Sequence, residues 1–255
     1  MDIKIIVATH KEYQMPQDKM YLPLQAGRSI SSNQLSDIAG DNTGDNISAK
    51  NKNFCELTCL YWAWKNLQAD YIGLCHYRRY FAMNKSKNKW QRIANQEYIE
   101  KQLLCGNVIL PKKRNYFIET TYQQYIHAHN EQDLTETERI IKEHYPEYHS
   151  AYKNVMNDTQ GHRFNMMIMP KEIFDSYCQW LFDILFKLED CLDISQYSDN
   201  DKRVFGFVSE RLLDVWVQTN NVQYTELPVV NMENQHWLKK GINFLKRKFT
   251  YNTKF

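Results

Sequence analysis

Residues 61–81 read YWAWKNLQADYIGLCHYRRYF, and their order decides the fold. An aromatic, amphipathic segment ends near Gln68 and Ala69, the apolar run YIGLC follows at 71–75, and His76, Tyr77, Arg78, Arg79 and Tyr80 come straight after it. That order predicts a helix, a buried strand, and polar side chains delivered where the strand ends. Open α/β sheets bind ligands at strand ends, where loops leave backbone groups and side chains facing a crevice. Adjacent guanidinium groups match the oxygens of a phosphate and stay charged. An exposed sheet edge with two solvated arginines explains the same residues without a ligand.

Working outward, Ile3–Ala8 (IKIIVA) is a β-branched run that predicts a strand buried on both faces. It ends in Thr9, His10 and Lys11, either a nucleotide contact or a plain loop entry. NVIL at 107–110 predicts another strand, stopped by Pro111 and followed by Lys112, Lys113 and Arg114. This second basic cluster either joins Arg78 and Arg79 around a diphosphate or is simply solvated. Asn53 and Glu56 have capping-box spacing, predicting a helix from there to about Leu67. Glu56 shares a face with Leu60, Ala63 and Leu67 and points inward, as a cap or as a substrate contact. Residues 13–50, with DIAGDNTGDNIS at 37–48, read as a structured loop. Asp41 and Asp45 there suit a sugar hydroxyl or a metal, although turn chemistry also accounts for them.

The second half predicts helices within 119–143 and 147–156, and a strand in GHRFNMMIM (161–169) interrupted by Asn165. A buried amide must find hydrogen bonds, so Asn165 is tied to backbone or shown to a ligand. His127 and His129, two apart, lie on different helix faces and make a poor metal chelate. After Pro170 a long helix follows, with Phe174, Tyr177, Trp180, Leu181, Ile184 and Leu188 on its core face. In RVFGFVSERLLDVWV (203–217), Gly206 predicts a break and Ser209 a cap. Glu210 then falls on a first helical turn, kept ionised by the dipole and facing a cleft, or else neutralised by Arg211 or Arg203. Residues 222–230 predict a last edge strand, limited by Pro228.

With 255 residues the chain suits one large domain, and a net charge of +2 supplies no global field for nucleic acid. Its six cysteines contain no Cys-x-x-Cys pair, which points away from zinc and redox motifs and toward a reducing cytoplasm. No apolar run approaches the roughly 18 residues of a membrane span, and the N-terminal run is too short for a secretory signal. The segment HWLKKGINFLKRKF (236–249) mixes apolar and cationic residues, as a helix on an anionic bilayer does, or a basic tail packed on the protein.

The blocks DNTGDNIS (41–48), KNFCELTCLYWAWKN (52–66), ADYIGLCHYRRYF (69–81), FNMMIM (164–169) and RVFGFVSERLL (203–213) together resemble a bacterial family of capsular or exopolysaccharide biosynthesis glycosyltransferases, first catalogued as a domain of unknown function. The resemblance spans about residues 3–230, and HYRRYF and SERLL are its most specific parts. It implies a GT-A-like (Rossmann-like) α/β fold, a mixed sheet flanked by helices. A nucleotide-sugar half (1–115) and an acceptor half (116–230) would form one domain, followed by the basic tail (231–255) as a membrane-surface contact. The implied activity moves galactose or galactofuranose from a UDP-sugar to a lipid-linked oligosaccharide at the inner face of the plasma membrane. A non-catalytic nucleotide- or glycan-binding protein is the alternative.

General GT-A enzymes carry Asp-x-Asp where this sequence has His76-Tyr77-Arg78. Fixed guanidinium groups can replace a metal as the charge that stabilises a leaving diphosphate, so the expectation is metal-independent transfer with no cofactor. Asp70 or Asp45 would hold Mg or Mn otherwise. By the same resemblance Glu210 is the expected general base, or an acceptor contact if configuration is retained. Thr9, His10, Lys11, His76, Tyr77, Arg78 and Arg79 are expected around the donor diphosphate. Asp45, Glu56, Asn165 and Arg211 are expected to contact the acceptor or sugar.

Overall fold

The computed structural model of the chain describes residues 1–233, so the basic tail lies, but for its first three residues, outside the described residues. The β-branched run at the N-terminus forms β1 (Ile3–Thr9), buried at every position but Lys4, as its composition predicts. β2 (Tyr21–Gln25) and β3 (Ala39–Gly40) lie parallel beside it on one flank, and β4 (Tyr71–His76) lies parallel on the other. β5 (Arg79–Phe81) turns back from β4. Beyond β4 the sheet continues with β9 (Met167–Pro170), β6 (Val108–Pro111) and β10 (Tyr224–Leu227). Only β9 among these runs antiparallel to its neighbours, and β11 (Val229–Asn231) pairs with β5. β7 (Arg114–Asn115) and β8 (Gln160–Gly161) make a separate two-stranded ribbon.

Alternation along the strands feeds two cores. Ile6, Ile72, Leu74, Val108, Leu110, Met167 and Met169 face one layer, whereas Ile3, Ile5, Val7, Cys75, Ile109 and Ile168 face the other. The first layer is helical: α1 (Asn51–Phe54), α2 (Leu57–Asn66), α4 (Thr121–Ile126), α5 (Glu131–His144), α6 (His149–Asn157), α7 (Lys171–Cys191) and α8 (Val204–Thr219). α3 (Gln96–Gly106) covers the opposite face together with β5 and β11. The mixed sheet flanked by helices is the expected α/β architecture.

Three local expectations are corrected. The proline at position 23 disguised β2, which sits inside the stretch read as loop. The capping box at Asn53 and Glu56 does not form, because α1 stops at Phe54 and Cys55 turns with φ 53° before α2 starts at Leu57. Asn53 instead donates to the Lys202 carbonyl at 2.8 Å. Finally, Gly206 does not break α8, which runs unbroken from Val204 to Thr219 and puts Glu210 in its second turn. Gly206 is there for space: an added Cβ would lie 3.3 Å from Cys55 Cβ and Sγ, where α8 crosses α1.

Gly73 plays a similar part between strands. It pairs with Ile168 across the β4–β9 junction, and a Cβ would lie 2.7 Å from the Met167 carbonyl oxygen. Backbone cannot yield there as a side-chain tip can. Gly73→Ala is therefore expected to lower the unfolding free energy by about 1–3 kcal/mol, read from urea denaturation at unchanged slope. An unchanged midpoint would show that β4 and β9 part without cost.

Candidate functional site

Because β1, β4, β6 and β10 are mutually parallel and β9 is reversed, their C-terminal ends and the start of β9 gather at one edge of the sheet. The chain leaves β1 toward β2 on one side, and its later strands lie on the other, so the crevice between β1 and β4 is a topological switch point, where open sheets bind ligands. A cleft opens there in two lobes. One, of about 360 Å³, is lined by Thr9, His10, Lys52, His76 and Tyr77, among others. The second, of about 320 Å³, reaches Arg79, Arg114, Phe164, Glu210 and Arg211. Cys55, Glu56, His76, Arg78 and Arg203 line both, which makes them the shared floor. A larger hollow of about 450 Å³ lies between α6 and α8. Its acids are committed to the fold: Asp214 accepts from the His162 backbone and ring, and Asp158 from the Gln160 backbone.

The chemical groups of the cleft are held by two consecutive residues in left-handed backbone, Phe164 (φ 79°) and Asn165 (φ 51°), just before β9. The Phe164 N–H donates to Glu210 Oε1 at 3.0 Å, and its carbonyl meets His76 Nε2 at 2.6 Å. A carbonyl only accepts, so Nε2 carries the proton and the neutral ring leaves Nδ1 bare. Asn165 is buried; its amide donates to Glu56 Oε1 at 2.8 Å and to the Gly206 carbonyl at 3.1 Å. Ser209 Oγ donates back to Asn165 Oδ1 at 2.9 Å, so Ser209 is an internal strut of α8 and no cap. One short turn thus sets His76, Glu56 and Glu210.

Positive charge dominates the cleft. Arg78, Arg79, Arg114, Arg203 and Arg211 line the second lobe, against the carboxylates of Glu56 and Glu210. Arg211 bonds Glu210 at 3.2 Å and Gln124 at 2.6 Å. Arg78 and Lys11 each reach Glu233 at 3.4 Å. Arg79 has no ion pair among the described residues; its guanidinium lies over the Phe164 ring, 4.4 Å from the centroid, with a buried and unbonded Nε. Burial and the neighbouring Arg78 hold its pKa below the ordinary arginine value. His10 is likewise held below the usual histidine value, first by burial and then by Lys11, Arg78 and Arg203. His76 is lowered by burial above all, against the pull of Glu56, with Arg79 adding to the drop.

The sequence-predicted residues separate into three groups. Thr9, His10, His76, Tyr77, Arg78, Arg79, Glu56, Glu210 and Arg211 line the cleft. Lys11 and Asn165 adjoin them: Lys11, exposed, lies over the Tyr77 ring, 5.1 Å from its centroid, and buried Asn165 positions Glu56. Asp45 lines neither lobe; it bonds Tyr61 at 3.2 Å and belongs to the loop beside α2. Asp41 is buried under the N–H groups of Gly27 and Arg28, as turn chemistry predicts. Asp70 accepts from the Asp2 backbone at 2.8 Å and sits at the start of β4, the far end from the cleft. Of the second basic cluster only Arg114 faces the cleft. Among the described residues no group of three or more His, Cys, Asp or Glu could hold a metal. Sequence reasoning missed Cys55, Arg203, Gln124 and Phe164 as lining residues, since nothing in their local pattern marks the long-range turn that collects them.

The profile of the family described as "Domain of unknown function (DUF4422)" matches residues 4–221. No curated protein matches the chain. Among solved structures, the apo form of WbbM, a bifunctional glycosyltransferase, is similar with a TM-score of 0.84 and 31% identity over 92% of this chain. The similarity covers 46% of that protein, so this chain spans about half its length.

The histidines give the site a pH signature. His10, His76 and His129 all fall below the ordinary value of 6.5 on folding, burial being the leading cause in each. Below pH 6.5 the unfolded chain takes up protons that the folded chain refuses, so their stabilising contribution is complete above 6.5 and is lost as pH falls. The thermal midpoint is expected to drop between about pH 7.5 and about pH 5.5, and His76→Gln should flatten that slope. A wild-type midpoint that holds steady on acidification would contradict a neutral His76.

Proposed function

The chain belongs to the DUF4422 family, and we propose that it is a glycosyltransferase that moves a sugar from a nucleotide diphosphate donor to a glycan hydroxyl. The observation that carries this reading is the arginine-rich cleft at the β1/β4 switch point, with two carboxylates fixed in its wall. An excess of guanidinium groups over acids suits a diphosphate, and a carboxylate held by hydrogen bonds suits proton removal. The 31% identity to a glycosyltransferase structure supports the same reading. A UDP-activated galactose or galactofuranose, and a lipid-linked oligosaccharide acceptor, are the substrates that the family resemblance favours.

In the proposed reaction the base of the donor lies by His10 and Tyr77, whose rings meet edge to face at 5.2 Å. The diphosphate lies over Arg78, Arg79 and Arg203. The acceptor enters the second lobe, where Arg211 keeps Glu210 oriented. Glu210 takes the hydroxyl proton as the acceptor oxygen bonds to the anomeric carbon; the bond from that carbon to the diphosphate breaks, and its electron pair leaves with the phosphate oxygen. Guanidinium groups fixed before the reaction stabilise that departing charge without reorganising, which is why we propose that no metal is needed.

Glu210→Gln is expected to lower kcat about 10²- to 10⁴-fold with little change in donor affinity, the usual contribution of a general base. Arg79→Ala should chiefly weaken donor binding, by about tenfold or more for a desolvated charge-assisted contact. Transfer measured with a panel of nucleotide sugars, with and without EDTA, checks each point. Near-normal turnover by Glu210→Gln removes the base assignment, strict Mn dependence removes the metal-free reading, and donor binding with neither transfer nor hydrolysis favours a binding protein.

A further inference from the structure

We propose that the loop Lys112–Ile118 docks the protein on an anionic lipid bilayer beside the cleft mouth. Phe117 is 82% exposed and Ile118 58% exposed, adjacent large apolar side chains in water. Scattered exposed apolar residues are ordinary; this pair is held out by its backbone. Asn115 Oδ1 accepts the Phe117 N–H at 2.7 Å, and the Ile118 N–H donates to the Tyr116 carbonyl at 2.7 Å. Phe117 is the central residue of that three-residue turn and sits at φ 60°, a strained conformation for an aromatic residue. The turn is anchored behind, by the Tyr116 N–H on the Thr159 carbonyl and the Lys112 N–H on the Leu227 carbonyl.

Charge selects the occupant. Lys112, Lys113 and Arg114 are all exposed immediately before the apolar tip. The one acid of the segment that follows, Glu119, is buried and bonded to His127 Nδ1 at 2.8 Å, so it does not cancel them. Asp158, the exposed C-cap of α6, accepts the Gln160 N–H and sets a single negative charge against the three cations. Apolar tips flanked by lysines match the boundary between acyl chains and anionic headgroups, where each signal alone binds weakly and the two together bind stably. Arg114 and Tyr116 of the same loop line the second lobe, so docking would put the acceptor lobe at the lipid surface. This deepens the proposed function by naming the surface from which a lipid-linked acceptor is reached, and it rests on that reading only for its purpose.

The test is sedimentation of the full chain with vesicles of phosphatidylcholine containing about one third phosphatidylglycerol, against phosphatidylcholine alone. The basic tail is present in every variant, so differences report on the loop. Wild type is expected to bind the anionic vesicles, and Phe117→Asp with Ile118→Asp, or Lys112→Glu with Lys113→Glu, to lower partitioning about tenfold or more. Thermal midpoints should be unchanged, since the substituted side chains are exposed. Equal binding by wild type and both variants overturns the proposal, as does equal wild-type binding to neutral vesicles. So does a change in the sedimentation coefficient of Phe117→Asp in lipid-free solution, which would assign the tip to a contact between copies of the chain. No sugar transfer enters the measurement, so failure of the glycosyltransferase reading and failure of the docking surface are told apart.

Discussion

The carboxamide of Asn165 is the constraint on which the rest of the cleft depends. It is buried, and every polar atom it carries is used: the amide on Glu56 and the Gly206 carbonyl, the carbonyl under the Ser209 hydroxyl. To reach that place the backbone adopts left-handed geometry at Phe164 and Asn165 in succession. Such conformations cost roughly 1–3 kcal/mol each in non-glycine residues and persist only where surrounding contacts over-determine them. Here the determinants are explicit. Five hydrogen bonds that involve side chains, two of them to carboxylates, and an arginine lying over the Phe164 ring all require the same backbone path.

That turn also explains why the charges are tolerated. A half-buried arginine without a carboxylate partner is costly in a low-dielectric wall, because its hydration is replaced by too little. Arg79 lies against an aromatic face, which returns part of that cost. Glu56 and Glu210, the countercharges, are each fixed by a neutral donor from the turn, so neither is free to collapse onto Arg79. The site therefore keeps more guanidinium groups than carboxylates, with the carboxylates oriented, and at His10 the neighbouring Lys11, Arg78 and Arg203 add to a depression that burial leads.

Much of this framework was legible in the chain. The enclosed strand at 3–9, the strand at 71–76 and the basic residues at its end follow from runs of apolar residues whose neighbours switch character abruptly. Local pattern failed where a long-range contact chose between two readings of the same residue. Gly206 reads as a helix breaker, and only the crossing of α1 shows that it is a close-approach residue. Asn53 and Glu56 have the spacing of a cap, yet Glu56 is claimed by Asn165, 109 positions away. Arg203 was legible only as a partner for Glu210, and its place on the cleft floor comes from where the chain enters α8. In Asn165 the sequence did expose a demand, an amide in an apolar strand, without revealing that the partner was a carboxylate.

The reversed direction of β9 ties these observations to one side of the molecule. Were β9 parallel to its neighbours, its entry turn would lie at the opposite edge of the sheet, and Phe164 could reach neither His76 nor Glu210. Because it is antiparallel, the chain of the second half arrives at the C-terminal ends of β1 and β4 within the same sheet. β6 ends at the same edge, so the loop that leaves it contributes Arg114 and Tyr116 to the cleft and turns Phe117 and Ile118 outward. Under the proposed function, that common edge is what lets a donor phosphate, an acceptor hydroxyl and an anionic surface be met at once, since each recognises groups carried by a strand end and none requires the sheet to deform.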